Sequence, residues 1–204
     1  MLANAIRGHA AEFGVTAATG VGRVTELLAD IDGNAAVPEL ARAIFARLAE
    51  QLATIARQLR DLETKLLAWH RGEDRSRRLA TIPGIGPIGA TALAMKVPDP
   101  GQFRSGRHFA AWLGLTPKDH STAGRQRLGV ITRAGDETVR RLLVTGAMAV
   151  IRAAKPGRAS PWLLAMLARK PKKLVAAALA NKTARITWAI MMRADIYRHR
   201  PTMA

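Results

Sequence analysis

Between Leu40 and Trp69, apolar side chains recur at Leu40, Ile44, Leu48, Leu52, Ile55, Leu59, Leu62, Leu66 and Trp69, spaced 4, 4, 4, 3, 4, 3, 4 and 3. Threes and fours mark one face of an α-helix, and the later part of the series is a heptad seam. Pro38 stands where a first helical turn tolerates it, so one long helix is predicted from there to about His70. Arg47, Glu50, Arg57, Arg60, Asp61, Glu63 and Lys65 fall between the seam positions. The pattern fits two arrangements: coiled-coil pairing with a partner chain or an antiparallel helix, and a single amphipathic helix lying on its own domain.

The rest of the chain also reads as helical. Thirty-nine alanines against one tyrosine and four phenylalanines argue against strands, which favour β-branched and aromatic side chains. A short helix near Leu2 to Phe13 gives way to a loop, Gly14 to Gly22. A second helix through Leu27 and Leu28 is broken by Asp32, Gly33 and Asn34. After a charged link, Arg71 to Arg78, and a loop at Pro98 to Gly101, Ser105 caps a helix from Gly106 to Trp112 with Phe109, Trp112 and Leu113 on its buried face. Asp136 caps a helix through Val139, Leu142, Leu143, Ala147, Val150 and Ile151. Ser160 and Pro161 open another, which Pro171 stops, and a last one runs from about Leu174 to Tyr197. The expected fold is mainly α, a long coiled-coil-like helix followed by a compact helical domain: linker helices over 1–36, the long helix over 37–78 and the compact domain over 79–204.

Charge divides the 204 residues more sharply than hydropathy does. The formal net charge is +17, yet residues 1–103 hold 12 basic and 11 acidic side chains, and residues 104–204 hold 20 and 4. This reads as a scaffold or oligomerisation half followed by one that neutralises phosphates; a solvated basic face or a ribosome-type polycation is the alternative. The absence of cysteine excludes disulfides, thiolate catalysis and Cys-type zinc fingers, and is compatible with a reducing cytoplasm. The longest nearly unbroken apolar run, Leu142 to Ile151, is about half of what a membrane span needs, so no membrane partner is expected.

Two segments carry candidate chemistry. In Leu79-Ala-Thr-Ile-Pro-Gly-Ile-Gly-Pro-Ile-Gly-Ala-Thr-Ala-Leu93, Gly84, Gly86 and Gly89 satisfy GxGxxG, but the strand, the βαβ unit and the downstream acid of a dinucleotide fold are missing. Two helices joined by a tight glycine turn fit better. This looks like a helix-hairpin-helix element, in which amides at Gly84 and Gly86 and the following helix N-terminus meet a phosphate without reading bases; a plain glycine turn is the alternative. The second segment, Gly114-Leu-Thr-Pro-Lys-Asp-His-Ser-Thr-Ala-Gly-Arg-Gln-Arg-Leu-Gly-Val-Ile-Thr-Arg-Ala-Gly-Asp136, has no sustained helical period and concentrates Lys118, Arg125, Arg127 and Arg133.

This segment resembles the insertion-sequence-110 family of transposases, grouped with the 116 and 902 elements. The likeness extends to the Ile-Pro-Gly-Ile-Gly turn, to Phe103-Arg-Ser-Gly-Arg-His-Phe-Ala-Ala-Trp-Leu-Gly-Leu-Thr-Pro117, and to Arg133-Ala-Gly-Asp136 followed by Arg140-Arg-Leu-Leu143. The resemblance implies a DNA recombinase in two parts. One is an RNase H-like domain whose acidic residues hold a divalent metal. The other is a C-terminal domain whose serine attacks a phosphodiester to give a 5′-phosphoserine link, in a complex guided by an element-encoded RNA.

By motif position the serine is Ser121, with Thr122 as a neighbouring hydroxyl and a local turn-bonding role as the alternative. Lys118, Arg125, Arg127, Arg133 and Arg140, with Gly84 and Gly86, are the expected nucleic-acid contacts, since guanidinium forks suit phosphate oxygens. His120 is not expected to be the base, because successive residues of an extended segment point apart. The acidic domain's aspartates are not found. Asp30 and Asp32 suit solvent or a cap, Glu73 and Asp74 are expected to pair with Arg71, Arg75 and Arg77, and the five histidines show no two-His metal spacing. No metal or other cofactor is therefore expected in this chain.

Expected partners are DNA, a guide RNA and a second copy through the 40–69 helix, in the bacterial cytoplasm with the nucleoid. The competing reading is a catalytically incomplete nucleic-acid-binding remnant. Arg169, Lys170, Lys172 and Lys173 are a further basic cluster. Trp112, Trp162 and Trp188 fit core packing or base stacking.

Overall fold

A computed structural model describes residues 2–198 apart from 21, 123, 126 and 158; His199 lies outside the described residues. The chain divides into two compact units, Met1–Lys65 and Leu66–Ala204, with the division inside the long helix.

In the first unit, α1 (Leu2–Glu12) and α2 (Val24–Gly33) bury residues at helical spacing, Ile6 and Ala10 on one and Val24, Leu27 and Ile31 on the other. Asn34 ends α2 and accepts the Ala36 amide at 2.9 Å. Helix α3 (Glu39–Gly72) then begins just after Pro38. It closes this small core with Phe45, whose ring meets that of Phe13 edge-on at 6.2 Å, and with Ala41, Leu48 and Leu52. The face α3 turns to its own unit is thus only one edge of the seam. Leu40, Ile44, Ile55, Leu59 and Leu62 are exposed.

The second unit is built around α9 (Lys172–Arg193), which buries Val175, Ala176, Ala180, Thr183, Ala184, Thr187, Ile190 and Met191. Its small side chains let α7 (Glu137–Ala153), α6 (Gly106–Trp112), α4 (Asp74–Ala80) and α8 (Pro161–Arg169) approach closely. Helix α5 (Pro87–Lys96) packs on α4 and α7, and a short 3-10 turn, Pro100–Gln102, links it to α6. Four starts carry the side-chain caps that free helix amides require: Glu73 for α4, Ser105 for α6, Asp136 for α7 and Ser160 for α8.

The fold is mainly α, as the alanine-rich pattern predicts, with four differences. The charged stretch 71–78 is not a link: α3 runs to Gly72 and α4 starts at Asp74, because Glu73 caps the new helix and Asp74 pairs with Arg77 and Arg78 across its first turns. Strands do occur, β1 (Pro117–Asp119) antiparallel to β2 (Leu128–Ile131). Helix α9 ends at Arg193, where Ala194 takes a left-handed φ of 52°; the tail turns back so that the Tyr197 amide donates to Thr81 Oγ1 at 2.9 Å. Trp112, expected in the core, is 38 % exposed; Phe109 and Leu113 fill that place. Among the described residues no helix is long and apolar enough to cross a membrane.

Candidate functional site

The segment 114–136 is a basic hairpin whose base is held by backbone contacts. Gly114 and Gly135 take φ values of 68° and 73°, conformations that side chains rarely adopt. A Cβ on Gly114 would strike the Ala134 carbonyl, and one on Gly135 the Trp112 carbonyl, so the two ends of the hairpin interlock. The Arg133 amide donates to Gly114 O at 3.1 Å and the Thr132 amide to Thr116 O at 2.8 Å. Arg133 itself sits at φ 58°, an uncommon conformation for a residue bearing a side chain.

Two side chains clamp this base to the helical core. Arg140 Nη1 donates to Leu113 O at 3.2 Å and to Ala134 O at 2.9 Å, and Asn181 Nδ2 on α9 donates to Leu115 O at 3.1 Å. Arg140 thus stands at the root of the hairpin, away from its tip.

Beyond the base the ribbon is exposed. Pro117 pairs with Ile131 and Asp119 with Leu128, the His120 amide donates to Arg127 O at 2.9 Å, and Thr122 and Arg125 exchange backbone hydrogen bonds at 3.3 and 3.0 Å. Gly124 takes φ 78° at the tip. Lys118, Arg125, Arg127 and Arg133 are all exposed, and none joins an ion pair among the described residues.

Ser121 lies within this ribbon, exposed. Its Oγ accepts the Arg127 amide at 3.0 Å and its own amide donates to Asp119 Oδ1 at 2.8 Å. The hydroxyl and then the amide of Ser121 hold the Asp119 carboxyl below the usual carboxylate range, with the nearby His120 ring adding to the effect. His120 turns elsewhere: its ring lies across the strand pair on Gly129, 3.0 Å from where a Cβ would stand.

The glycine turn is a second element of the same unit. Gly84, at φ 86°, is seated backbone to backbone on α7: its Cβ position lies 2.8 Å from Gly146 O, and a Cβ on Gly146 would strike Gly84 O. Gly84 is therefore needed for close packing. Gly86 is exposed and precedes Pro87 at the start of α5, whose first turn has no side-chain cap and so keeps free amides. The helix α4 before this turn is incompatible with a dinucleotide fingerprint, which requires a strand there.

Three of these positions, Asp119, Gly146 and Asn181, escape the sequence reading. Asp119 had a legible signal, since an aspartate two residues before a backbone amide is a common turn former. Gly146, isolated within an apolar helical run, is the pattern of a close backbone approach. Asn181 had none.

A cavity of about 300 Å³ also opens between α7, α8, α9 and Tyr197, and no hairpin residue lines it. Trp162 beside it carries Lys182 Nζ 4.5 Å above its ring. Arg169, Lys170, Lys172 and Lys173 are exposed around Pro171.

Comparison with known proteins now bears on this geometry. Residues 76–161, from within α4 to the start of α8, match the model of the transposase IS116/IS110/IS902 family. The matched span is a domain of this transposase family. The matched span holds both the glycine turn and the whole serine hairpin. A Sinorhizobium fredii protein named as a transposase, y4pF/y4sB, is 54 % identical over 200 residues, covering 97 % of this chain and 52 % of that protein. A Pseudomonas aeruginosa protein named as a family 20 transposase is 44 % identical over 202 residues, 97 % of this chain and 60 % of the relative. The transposase for insertion sequence element IS1328 of Yersinia enterocolitica is 33 % identical over 196 residues, 95 % and 58 % of the two chains. The chain thus spans between half and three-fifths of the length of these curated relatives.

Proposed function

We propose that this chain acts on DNA as the serine-bearing part of a transposase, gripping the phosphate backbone with its hairpin and attacking it with Ser121. In the attack, Ser121 Oγ forms a bond to phosphorus and the bond from phosphorus to the 3′ oxygen breaks. The products are a 5′-phosphoserine link and a free 3′-hydroxyl. The observation that carries the reading is Ser121 itself: an exposed hydroxyl whose oxygen already accepts a backbone N–H from Arg127. The ribbon around it bears Lys118, Arg125, Arg127 and Arg133, none of them paired among the described residues. Charge developing on a phosphoryl centre is stabilised by donors of this kind.

Arg133 and the open first turn of α5 after Gly86 extend the grip on the backbone, where contacts set affinity rather than sequence choice. Gly84 serves by seating the turn, as part of a helix-hairpin-helix element, and Arg140 by holding the hairpin at its root. The exposed part of the α3 seam, Leu40, Ile44, Ile55, Leu59, Leu62 and Trp69, joins two copies as a coiled coil. A guide RNA and the nucleoid of the bacterial cytoplasm complete the setting. Among the described residues no three His, Asp or Glu side chains stand together as a metal site would need. A metal-binding acidic domain, as the family resemblance implies, would be a separate body, and no step is routed through it.

The second reading, a binder that completes no chemistry by itself, draws on that same lack of a convergent acidic group. One experiment separates the two. The chain is incubated with nicked suicide DNA carrying the element's ends, with guide RNA, alone and beside a full-length relative whose own serine is replaced by alanine. A covalent protein–DNA adduct that Ser121→Ala abolishes supports the transposase reading. An adduct that survives Ser121→Ala overturns the assignment of Ser121. Salt-sensitive binding with no adduct in either arm supports the binder.

A further inference from the structure

Attack by Ser121 leaves one proton without a destination, because the Oγ–H bond must break as the Oγ–P bond forms. We propose that Asp119 is the general base for Ser121, receiving that proton as the serine attacks and returning it when the link is resealed. The assignment rests on the reading of Ser121 as the nucleophile and goes beyond it.

Four observations converge on Asp119. It is the only acidic residue between Gly114 and Gly135, so no other carboxylate of the hairpin competes for the role. Its Oδ1 accepts the Ser121 amide at 2.8 Å, which ties the carboxylate to the same residue whose hydroxyl it would deprotonate. The hydroxyl and amide of Ser121 hold that carboxyl below its ordinary value, so it stays ionised. Finally, Asp119 joins no ion pair among the described residues despite the arginines around it, so its second oxygen is not committed to a guanidinium.

The alternatives on the ribbon are poorer. His120, the more usual base, has its ring packed on Gly129, and no hydrogen bond joins it to Ser121 among the described residues. Lys118, Arg125 and Arg127 are cations, suited to phosphate oxygens and not to accepting a proton.

The orientation that results is the one attack requires. Ser121 Oγ uses one lone pair for the Arg127 amide, which also stabilises the oxygen as it gains negative charge. For the attack the hydroxyl hydrogen would turn to the Asp119 carboxylate, whose Oδ1 already holds the Ser121 amide, leaving a lone pair of the exposed Oγ for a phosphodiester. In the forward step Oγ bonds to phosphorus, the bond to the 3′ oxygen breaks, the Oγ proton moves to Asp119, and the departing 3′ oxygen takes a proton from water. In resealing the 3′ oxygen bonds to phosphorus as the phosphorus–Oγ bond breaks, the 3′-hydroxyl's proton passes to water, and Asp119 returns its proton to Oγ. Only water is needed besides the DNA. A base that remains ionised near neutrality is ready at every encounter, and its action is worth about 100-fold or more in rate.

Asp119→Asn tests this directly, because the amide oxygen of asparagine still accepts the Ser121 N–H and preserves the turn while removing the base. The full chain is mixed with suicide DNA, alone and beside the serine-substituted full-length relative, and the rate of Ser121-dependent adduct formation is followed between about pH 6 and 9. Wild type is expected to show a flat profile. Asp119→Asn is expected to form adduct about 100-fold more slowly at neutrality, with a rate that climbs about tenfold per pH unit as hydroxide replaces the missing base. DNA affinity, measured in parallel, should be unchanged or slightly tighter, since a negative charge has been removed.

A wild-type rate and profile in Asp119→Asn would overturn the assignment of the base while leaving the nucleophile in place. A slow Asp119→Asn with a flat profile and weakened DNA binding would assign the residue to hairpin geometry alone and likewise overturn it. Absence of any Ser121-dependent adduct, with or without the relative, would overturn both the base and the reading beneath it.

Discussion

Gly146→Ala pits two opposing effects of known size against each other. In an isolated helix, replacing a mid-helix glycine by alanine stabilises by about 1 kcal/mol, because glycine loses more backbone entropy on folding. Gly146 lies inside α7, so propensity alone predicts a gain. The tertiary structure predicts a loss. The new Cβ would meet the Gly84 carbonyl oxygen, a backbone atom that no rotamer change can move aside, while a Cβ built on Gly84 would stand only 3.0 Å from Val150 Cγ2. Relief requires the turn and α7 to separate by about 1 Å, and a gap of that size forfeits about a quarter to a half of the dispersion energy of the atoms facing it. Overpacking of this kind costs about 3 kcal/mol. The net expectation is a destabilisation of about 2 kcal/mol, a fall in Tm on the order of 8 °C. Gly89→Ala is the matched control: it lies in α5 of the same unit, and its Cβ would meet only Ile85 Cγ2 at an ordinary 3.6 Å. This variant should be neutral or stabilised by up to about 1 kcal/mol. Thermal and urea melts of both variants decide the matter. A Gly146→Ala protein as stable as Gly89→Ala would refute the seating of the glycine turn on α7.

Three further outcomes are expected. Asp136 accepts the Val139 amide at 2.8 Å and pairs with Lys96 Nζ at 2.6 Å. Its burial would raise its pKa, but the bonds from Lys96, Val139 and Thr138 outweigh that and lower it. A lowered carboxyl stabilises the fold above its unfolded-state value and loses that contribution as pH falls through the folded value. Acid titration of melting should therefore show wild type losing more stability than Asp136→Asn below the usual carboxylate range. Replacing Arg125, Arg127 or Arg133 singly by glutamine should weaken DNA binding across unrelated sequences and lower the salt-dependence slope by about 1 each; an unchanged slope would remove that residue from the interface. Leu59, 61 % exposed on the α3 seam, should on change to aspartate halve the hydrodynamic mass if two copies pair there. Constant mass in sedimentation would show that the seam does not join copies.

Amphipathic spacing, caps and composition settle much of this protein in advance. The threes and fours from Leu40 to Trp69 specify α3. Ser105, Asp136 and Ser160 announce their helices because a free helix amide needs an oxygen at that point in the chain, and alanine content makes the fold mainly α. The order of the glycine turn and the serine segment is likewise a matter of residue identity, and it is enough to resemble a family. The tertiary structure decided what local pattern cannot carry. The strands β1 and β2 have no buried alternating face to reveal them; the hairpin exists because Gly114, Gly135 and Arg140 pin its two ends to the core. Gly84 and Gly146 are 62 positions apart in the chain, so their mutual need for the absence of a Cβ appears only when α7 is laid against the turn. Which side of the ribbon faces which partner, placing Ser121 Oγ on the Arg127 amide and His120 on Gly129, depends on strand register, a property of two segments together that neither one encodes.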